Sequence, residues 1–282
     1  IGADALSAEV EGNVSIAIGY GALQNQTNAT STTVANIAIG YAAGNDITSG
    51  VRNNLIGTFA GDALTTGNYN IANGYAALSS DVAGNTAVAI GYGTLVNQNF
   101  TTSTSNYNVA IGYDAGGDLT TGTLNTIVGG LAGDALTDSD YNVAVGYAAL
   151  STDTLGSRSV ALGYATLVNQ NFTTATDSYN TAVGTEAGND ITTGTGNTLL
   201  GGLVGDSLTD ADANVAIGYL ALTRDTLGSR SVAIGYNALG NQNFTTATLS
   251  NNVAVGFQAG DSITTASKST LIGSISGDSF TE

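Results

Sequence analysis

The sequence predicts an all-β chain, a parallel β-solenoid of about sixteen short coils. Three observations predict it: a glycine that recurs at near-constant spacing, a β-branched run ahead of each such glycine, and a composition unsuited to helices or to an ordinary globule.

The recurring glycine closes "AIG", "AVG" and kindred strings. From Gly2 it falls at Gly19, Gly40, Gly57, Gly74 and Gly91 and onward to Gly273, in steps of 17, 21, 17 and 17 residues that sum to 72. The chain reads as one repetitive solenoid over 1–282, in four superrepeats at 1–72, 73–144, 145–216 and 217–282. Neither end carries an atypical capping unit, so the chain reads as a segment of a longer array.

Four residues before the landmark stands Asn or Ser, as at Asn36, Asn53, Asn70 and Asn108, with Ala87 as the exception. The three residues between are mostly Val, Ile or Thr, then Ala, then Ile, Val or Leu. A run such as "NVAIG" is too short for a helix and rich in strand formers. Three residues past the landmark sits a small residue, usually Ala. Beyond it the coils divide. One kind places Leu next, as at Leu23, Leu78, Leu95 and Leu150; the other places Gly there and an apolar residue three further on, as at Ile47, Leu64, Leu119, Leu136 and Phe280. Two apolar anchors and two polar breaks per coil suggest strand, turn, strand, turn, with coils stacked about 4.8 Å apart.

Stacking in register predicts two ladders. Tyr follows the landmark at Tyr20, Tyr41, Tyr75, Tyr92 and Tyr113, with Phe at 257, giving an aromatic column broken at Thr58, Gly130, Gly202 and Ser274. The recurring Asn gives a column of stacked amides.

Composition agrees. There are 39 Gly and no Pro, Cys, Met, Trp or His, and the formal net charge is −17. Such a surface repels nucleic acid, which needs clustered Lys and Arg. No 18-residue apolar run suggests membrane insertion. The strings "NVAIGY", "NIAIGYAAG" and "NVAVGYAAL" resemble the head repeats of trimeric autotransporter adhesins, the YadA-like family, and similar strings occur in repetitive phage tail-fibre and surface-fibre proteins. That resemblance implies a left-handed β-roll, three chains side by side, and adhesion or display at a cell or virion surface. The units here, at 17 and 21 residues, are longer than is usual in that family. The Ala-rich core is thin, which also favours packing of chains together into a homotrimer or filament.

Chemistry is sparse. Without His or Cys no ordinary nucleophile–base pair exists, so no catalytic residue and no cofactor is expected, and the chain reads as a non-enzyme. Calcium is the one metal that the carboxylate spacing suggests. Asp46, Asp118 and Asp190 stand six past the landmark, and Asp62, Asp134 and Asp206 five past it in the next coil, where adjacent coils would bring carboxylates together. The D-x-D pairs Asp138/Asp140 and Asp210/Asp212 add to these. The competing reading is that these residues cap turns. Arg158 and Arg230 follow Asp153 and Asp225 by five residues, a spacing that suggests surface ion pairs. The triplets at Asn25, Asn28, Asn99, Asn171 and Asn243 match the N-x-T glycosylation pattern.

The 21-residue coil carries "NQNF" at Asn97, Gln98, Asn99, Phe100; at Asn169, Gln170, Asn171, Phe172; and at Asn241, Gln242, Asn243, Phe244. Four extra residues should bulge there without being needed for stacking, making these the candidate contact with another chain, a glycan, matrix or host surface. The leading functional expectation is an extracellular structural or adhesive fibre. The alternatives are a viral tail-fibre shaft or receptor-binding segment, and an ice- or crystal-surface binder using Thr rows such as "TTATDS" and "TTATLS".

Overall fold

The computed structural model describes residues 1–28 and 33–279; Phe280 lies outside the described residues. The chain divides into two compact units, Ile1–Tyr141 and Asn142–Glu282. Unit one contains Ile16–Ile18 (β1), Ile37–Ile39 (β2), Asn54–Ile56 (β3), Ile71–Asn73 (β4), Gly84–Asn85 (β5), Val88–Ile90 (β6), Thr104–Ser105 (β7), Val109–Ile111 (β8) and Thr126–Val128 (β9). Unit two contains Val143–Val145 (β10), Gly156–Ser157 (β11), Val160–Leu162 (β12), Thr176–Asp177 (β13), Thr181–Val183 (β14), Thr198–Leu200 (β15), Val215–Ile217 (β16), Gly228–Ser229 (β17), Val232–Ile234 (β18), Thr248–Leu249 (β19), Val253–Val255 (β20) and Thr270–Ile272 (β21). Among the described residues there is no helix.

Each unit is a parallel β-solenoid. In unit one β1, β2, β3, β4, β6, β8 and β9 pair in that order; in unit two β10, β12, β14, β15, β16, β18, β20 and β21 do the same. Repeat-equivalent residues pair, as Ala38 with Leu55 and Ala233 with Ala254, so the glycine spacing sets the register. The expectation of two strands per coil holds only in part. Among the described residues second strands are two residues long and form the pairs β5–β7, β11–β13 and β17–β19, each joining a 21-residue coil to the coil before it, with a single parallel bridge, Asn13 to Thr33, at the equivalent place in the first superrepeat.

Elsewhere the second side of the coil is made of left-handed turns. Leu23 (φ 50°), Ala42 (φ 53°) and Arg52 (φ 61°) are examples at three repeat positions, in a conformation that costs about 1–2 kcal/mol per non-glycine residue. Hydrogen bonds to neighbouring coils hold them there: Ala42 N–H donates to Tyr20 O at 2.8 Å, Arg52 N–H to Val34 O at 2.8 Å and Leu23 N–H to Ala43 O at 3.0 Å. Turn sequences in a stacked array thus need no glycine where the next coil fixes the backbone.

The landmark glycine does need to be glycine. Gly218 has φ +133°, and a methyl group on it would lie 2.5 Å from the carbonyl oxygen of Gly235 in the next coil. The landmarks stack backbone on backbone, which leaves no room for a Cβ.

The core is narrow and its volumes are matched. The strand's middle residue points inward and is fully buried, as Ala38, Leu55, Ala72 and Ala89 are. Where it is large, the fourth residue past the landmark is glycine in the coils on both sides. Leu55 lies between Gly44 and Gly61, where an added methyl would sit 2.7 and 2.9 Å from its Cδ atoms. Ile127 with Gly116 and Leu199 with Gly188 and Gly205 repeat the arrangement. Where the strand residue is Ala, Leu23, Leu78 or Leu95 fills the space instead. The displaced anchor of the sequence is a volume exchange across the core.

The amide ladder is present and buried. Asn53 N–H donates to Asn36 Oδ1 at 2.8 Å and Asn70 N–H to Asn53 Oδ1 at 2.9 Å, while Asn53 Nδ2 donates to Gly67 O at 2.8 Å. Each side chain so satisfies turn groups in two directions, as buried polar groups require. The aromatic ladder is also present. Tyr20 stacks on Tyr41 (5.4 Å, 12°), Tyr75 on Tyr92 (5.1 Å, 11°) and Tyr92 on Tyr113 (5.4 Å, 9°). At the Thr58 break Phe59 steps in, edge-on to Tyr41 and Tyr75. Unit two adds a break the sequence reading missed, Thr185, beside Gly202.

Candidate interaction surface

The 21-residue coil is anchored inward, contrary to the expectation for its recurrent tetrad. Gln98, Gln170 and Gln242 are fully buried, and Phe100, Phe172 and Phe244 nearly so. Only the first and third residues of the tetrad reach solvent: Asn97, Asn99, Asn169 and Asn243 are exposed, and Asn171 and Asn241 half-buried. As a contact, the glutamines and phenylalanines are therefore ruled out. The freely exposed stretch follows them, at Thr101–Ser103 and its equivalents.

What holds the tetrad is a buried carboxylate in the preceding coil. Gln98 Nε2 donates to Asp81 Oδ2 at 2.7 Å; Asp81 Oδ1 accepts from Gly84 N at 3.1 Å and Phe100 N at 3.0 Å; Asn108 Nδ2 donates to Gln98 Oε1 at 2.9 Å. The same network recurs at Asp153–Gln170–Asn180 and Asp225–Gln242–Asn252. Glu9 plays the part for Gln26. Burial pushes the Asp81 and Asp153 carboxyls above the ordinary range, opposed by the bonds from Gln98 and Gln170 and from backbone amides. For Glu9, burial is outweighed by the bonds from Gln26, Gly12 N, Asn28 and Val10 N, which hold its carboxyl down at about 2.

These acids were missed as structural residues, yet the sequence carried a signal. The seventh residue past the landmark cycles with the superrepeat: Glu9, Asp81, Asp153 or Asp225, then Gln26, Gln98, Gln170 or Gln242, then two apolar residues such as Ile47 and Leu64. The incoming glutamine accompanies three breaks in the amide ladder, donating to the small hydroxyls of Ser15, Ser159 and Ser231 at 3.4, 2.8 and 3.1 Å.

The calcium candidates come together pairwise. Asp46 N–H donates to Asp62 O at 2.9 Å, Asp118 N–H to Asp134 O at 2.8 Å and Asp190 N–H to Asp206 O at 2.9 Å, so each pair sits on adjacent coils. Burial, with Asp46 nearby, pushes Asp62 up to about 6. Asp134 is raised by burial and by Asp114 and Asp118; Asp206 is raised by burial and by Asp190 against a bond from Thr223. Among the described residues no group of three or more metal-ligating side chains is assembled. The D-x-D residues cap instead: Asp138 accepts from Thr121 Oγ1 at 2.7 Å, and Asp140 and Asp212 accept from the amides of Thr123 and Thr195 at 2.6 and 2.7 Å.

Two further expectations are corrected. Arg158 pairs with Asp177 at 3.0 Å rather than with Asp153, whose carboxylate faces inward. Asp225 faces inward as well, towards Gln242. Of the N-x-T asparagines, Asn28 is buried against Glu9, whereas Asn25, Asn99 and Asn243 are exposed. The "TTATDS" and "TTATLS" threonines sit on the extra connection of one coil per superrepeat and form no continuous row.

Each unit presents one uniform surface, the outward face of its main strands. The residues flanking each buried centre point out, as Ile37 and Ile39 do, and the residue after the glycine, as Tyr41, continues the same face. From β1 to β21 no Asp, Glu, Lys or Arg occupies any of these three positions, in a chain with 27 charged residues (5 Lys+Arg and 22 Asp+Glu). Among the described residues no helix is long and apolar enough to cross a membrane. Comparison of the chain with protein-family models, curated proteins and solved structures finds no match.

Proposed function

We propose that the chain is a non-enzymatic structural and adhesive fibre segment whose copies associate through the uncharged outward face of the main strands. The carrying observation is that face itself. Three outward positions span about 13 Å along the strand, and seven or eight coils about 34–38 Å across it, giving roughly 450 Å² in unit one and roughly 500 Å² in unit two. Patches of about that size on monomeric proteins are commonly functional. Each unit supplies over half of the ~800 Å² per partner that a specific interface buries.

Elsewhere the surface is strongly acidic, with a net charge of −17. Like-charge repulsion would direct association onto this uncharged face. The resemblance to YadA-like heads supports three copies side by side and display at a cell or virion surface. Sedimentation at micromolar concentration tests this. The 28.0 kDa chain should run as an oligomer, and Ile90→Asp with Ile111→Asp, on half-exposed and exposed side chains, should run as a monomer with its β signal retained. A wild-type chain that stays monomeric at that concentration overturns the proposal.

A further inference from the structure

All 13 tyrosines are 44–59% exposed, and none is part of the core. They occupy two repeat positions, the residue after the landmark glycine and the residue five before it. In the first column four pairs of neighbours on adjacent coils stack nearly parallel, Tyr20 with Tyr41, Tyr75 with Tyr92, Tyr92 with Tyr113, and Tyr147 with Tyr164 at 5.9 Å and 12°, while Tyr219 and Tyr236 lie 6.0 Å apart and tilted at 34°. In the second column Tyr69 and Tyr179 lie instead against the guanidinium groups of Arg52 (5.4 Å) and Arg158 (5.9 Å).

Composition adds an independent observation. The chain has no Cys, Met, Trp or His, so tyrosine is its only readily oxidised side chain. No disulfide can tie one coil to the next. We propose that the stacked tyrosine column is a site of oxidative modification, at which neighbouring coils become joined by dityrosine.

The chemistry balances with hydrogen peroxide as oxidant, activated by a haem peroxidase. Each of two phenols gives up one electron and one proton. The two phenoxyl radicals couple through ring carbons ortho to oxygen, and the ring protons shift to restore both phenols. The peroxide takes up the two electrons and two protons and leaves as two molecules of water. One carbon–carbon bond forms, two ring C–H bonds and the peroxide O–O bond break, and two phenolic O–H bonds are broken and remade. The rings are brought within reach by the coil spacing alone, and their exposed edges leave them free to rotate into a bonded geometry.

The second column supplies an internal control, because Tyr69 and Tyr179 are equally exposed but face a cation. The purified full chain, diluted until it sediments as a monomer so that the outward face is free, is treated with peroxidase and hydrogen peroxide, and cross-linked peptides are identified by mass spectrometry beside dityrosine fluorescence. The expected links are Tyr20–Tyr41, Tyr75–Tyr92, Tyr92–Tyr113 and Tyr147–Tyr164 within one chain. Tyr92→Phe should abolish both links at position 92 and leave Tyr20–Tyr41 and Tyr147–Tyr164 intact. Phe257 shows that a phenyl ring is accommodated in this column, stacked on Tyr236 at 5.2 Å. Links that involve Tyr69 or Tyr179 as often as the stacked pairs, links only between chains, or no dityrosine at all would overturn the proposal.

Discussion

Replacing Gln98 tests whether the buried acid–amide network fixes the 21-residue coil. In the native chain Gln98 donates to Asp81 at 2.7 Å and accepts from Asn108 at 2.9 Å, and all three side chains are fully buried. Gln98→Ala removes a hydrogen bond to a carboxylate and strands one N–H of Asn108. At about 1.5–3 kcal/mol for the first and 1–3 kcal/mol for the second, the loss is about 2.5–6 kcal/mol. For a unit of this size that lowers Tm by on the order of 10 °C. Gln98→Glu keeps the shape but sets two carboxyls face to face. The folded pair then holds a proton more tightly than the unfolded chain does, so stability is lost at pH 8 and regained as pH falls towards 5. Once protonated, the introduced carboxyl donates to Asp81 and accepts from Asn108 much as the amide does. Denaturant unfolding at the two pH values, with hydrogen exchange at the Gly84 and Phe100 amides, reads both effects. A Gln98→Ala loss below about 0.5 kcal/mol, or a Gln98→Glu variant indifferent to pH, would refute the reasoning.

Two more outcomes are expected. Gly218→Ala and Gly273→Ala both place a side chain at positive φ (+133° and +124°), but a methyl on Gly273 meets nothing within 4 Å. The second should cost about 1–3 kcal/mol through conformation alone, and the first distinctly more; equal losses in thermal melts would show that the stacked backbones do not exclude a side chain. For the wild-type chain, Asp62 at about 6 and the raised carboxyls of Asp81, Asp134, Asp153 and Asp206 all bind protons more tightly folded than unfolded. Stability should therefore rise as pH is lowered from 7 towards 5, and Asp62→Asn should flatten that rise; a melting temperature that falls over this interval contradicts it.

Much of this architecture was legible because stacking turns period into position. The glycine spacing alone gave the pairing of Ala38 with Leu55 and the stacking of Tyr75 on Tyr92. Reading the Asn column as a ladder also held, since an amide is one of few side chains able to serve turns above and below. The tetrad of the long coil was misread for a physical reason. Asn, Gln and Asn look like surface residues when each is judged alone, and Gln98 is buried only because Asp81, 17 residues earlier, meets it. Its partner had to be sought one coil back. The second strands were over-read because the left-handed turns at Leu23, Ala42 and Arg52 are held by neighbouring coils and leave no turn-forming residue to see. What the outward face binds was legible in neither pattern nor spacing, because an uncharged stripe of Ile, Val and Tyr states what it avoids and not what it meets.

The exchange of volume between Leu55 and its flanking glycines has a consequence for how such a chain finds its fold. An array of near-identical coils invites misthreading, because a looped-out coil still leaves strands of matching sequence to pair. If the coil from Gly57 to Asn73 were skipped, Leu55 would meet Leu78 where it now meets Gly61, and two large side chains would contend for one space. The misplaced long coil would likewise bring Gln98 against a chain without its acid. A slip of a whole 72-residue superrepeat passes both checks, but it requires excluding four coils at once. The irregularities within the repeat therefore penalise slips that a uniform array would allow.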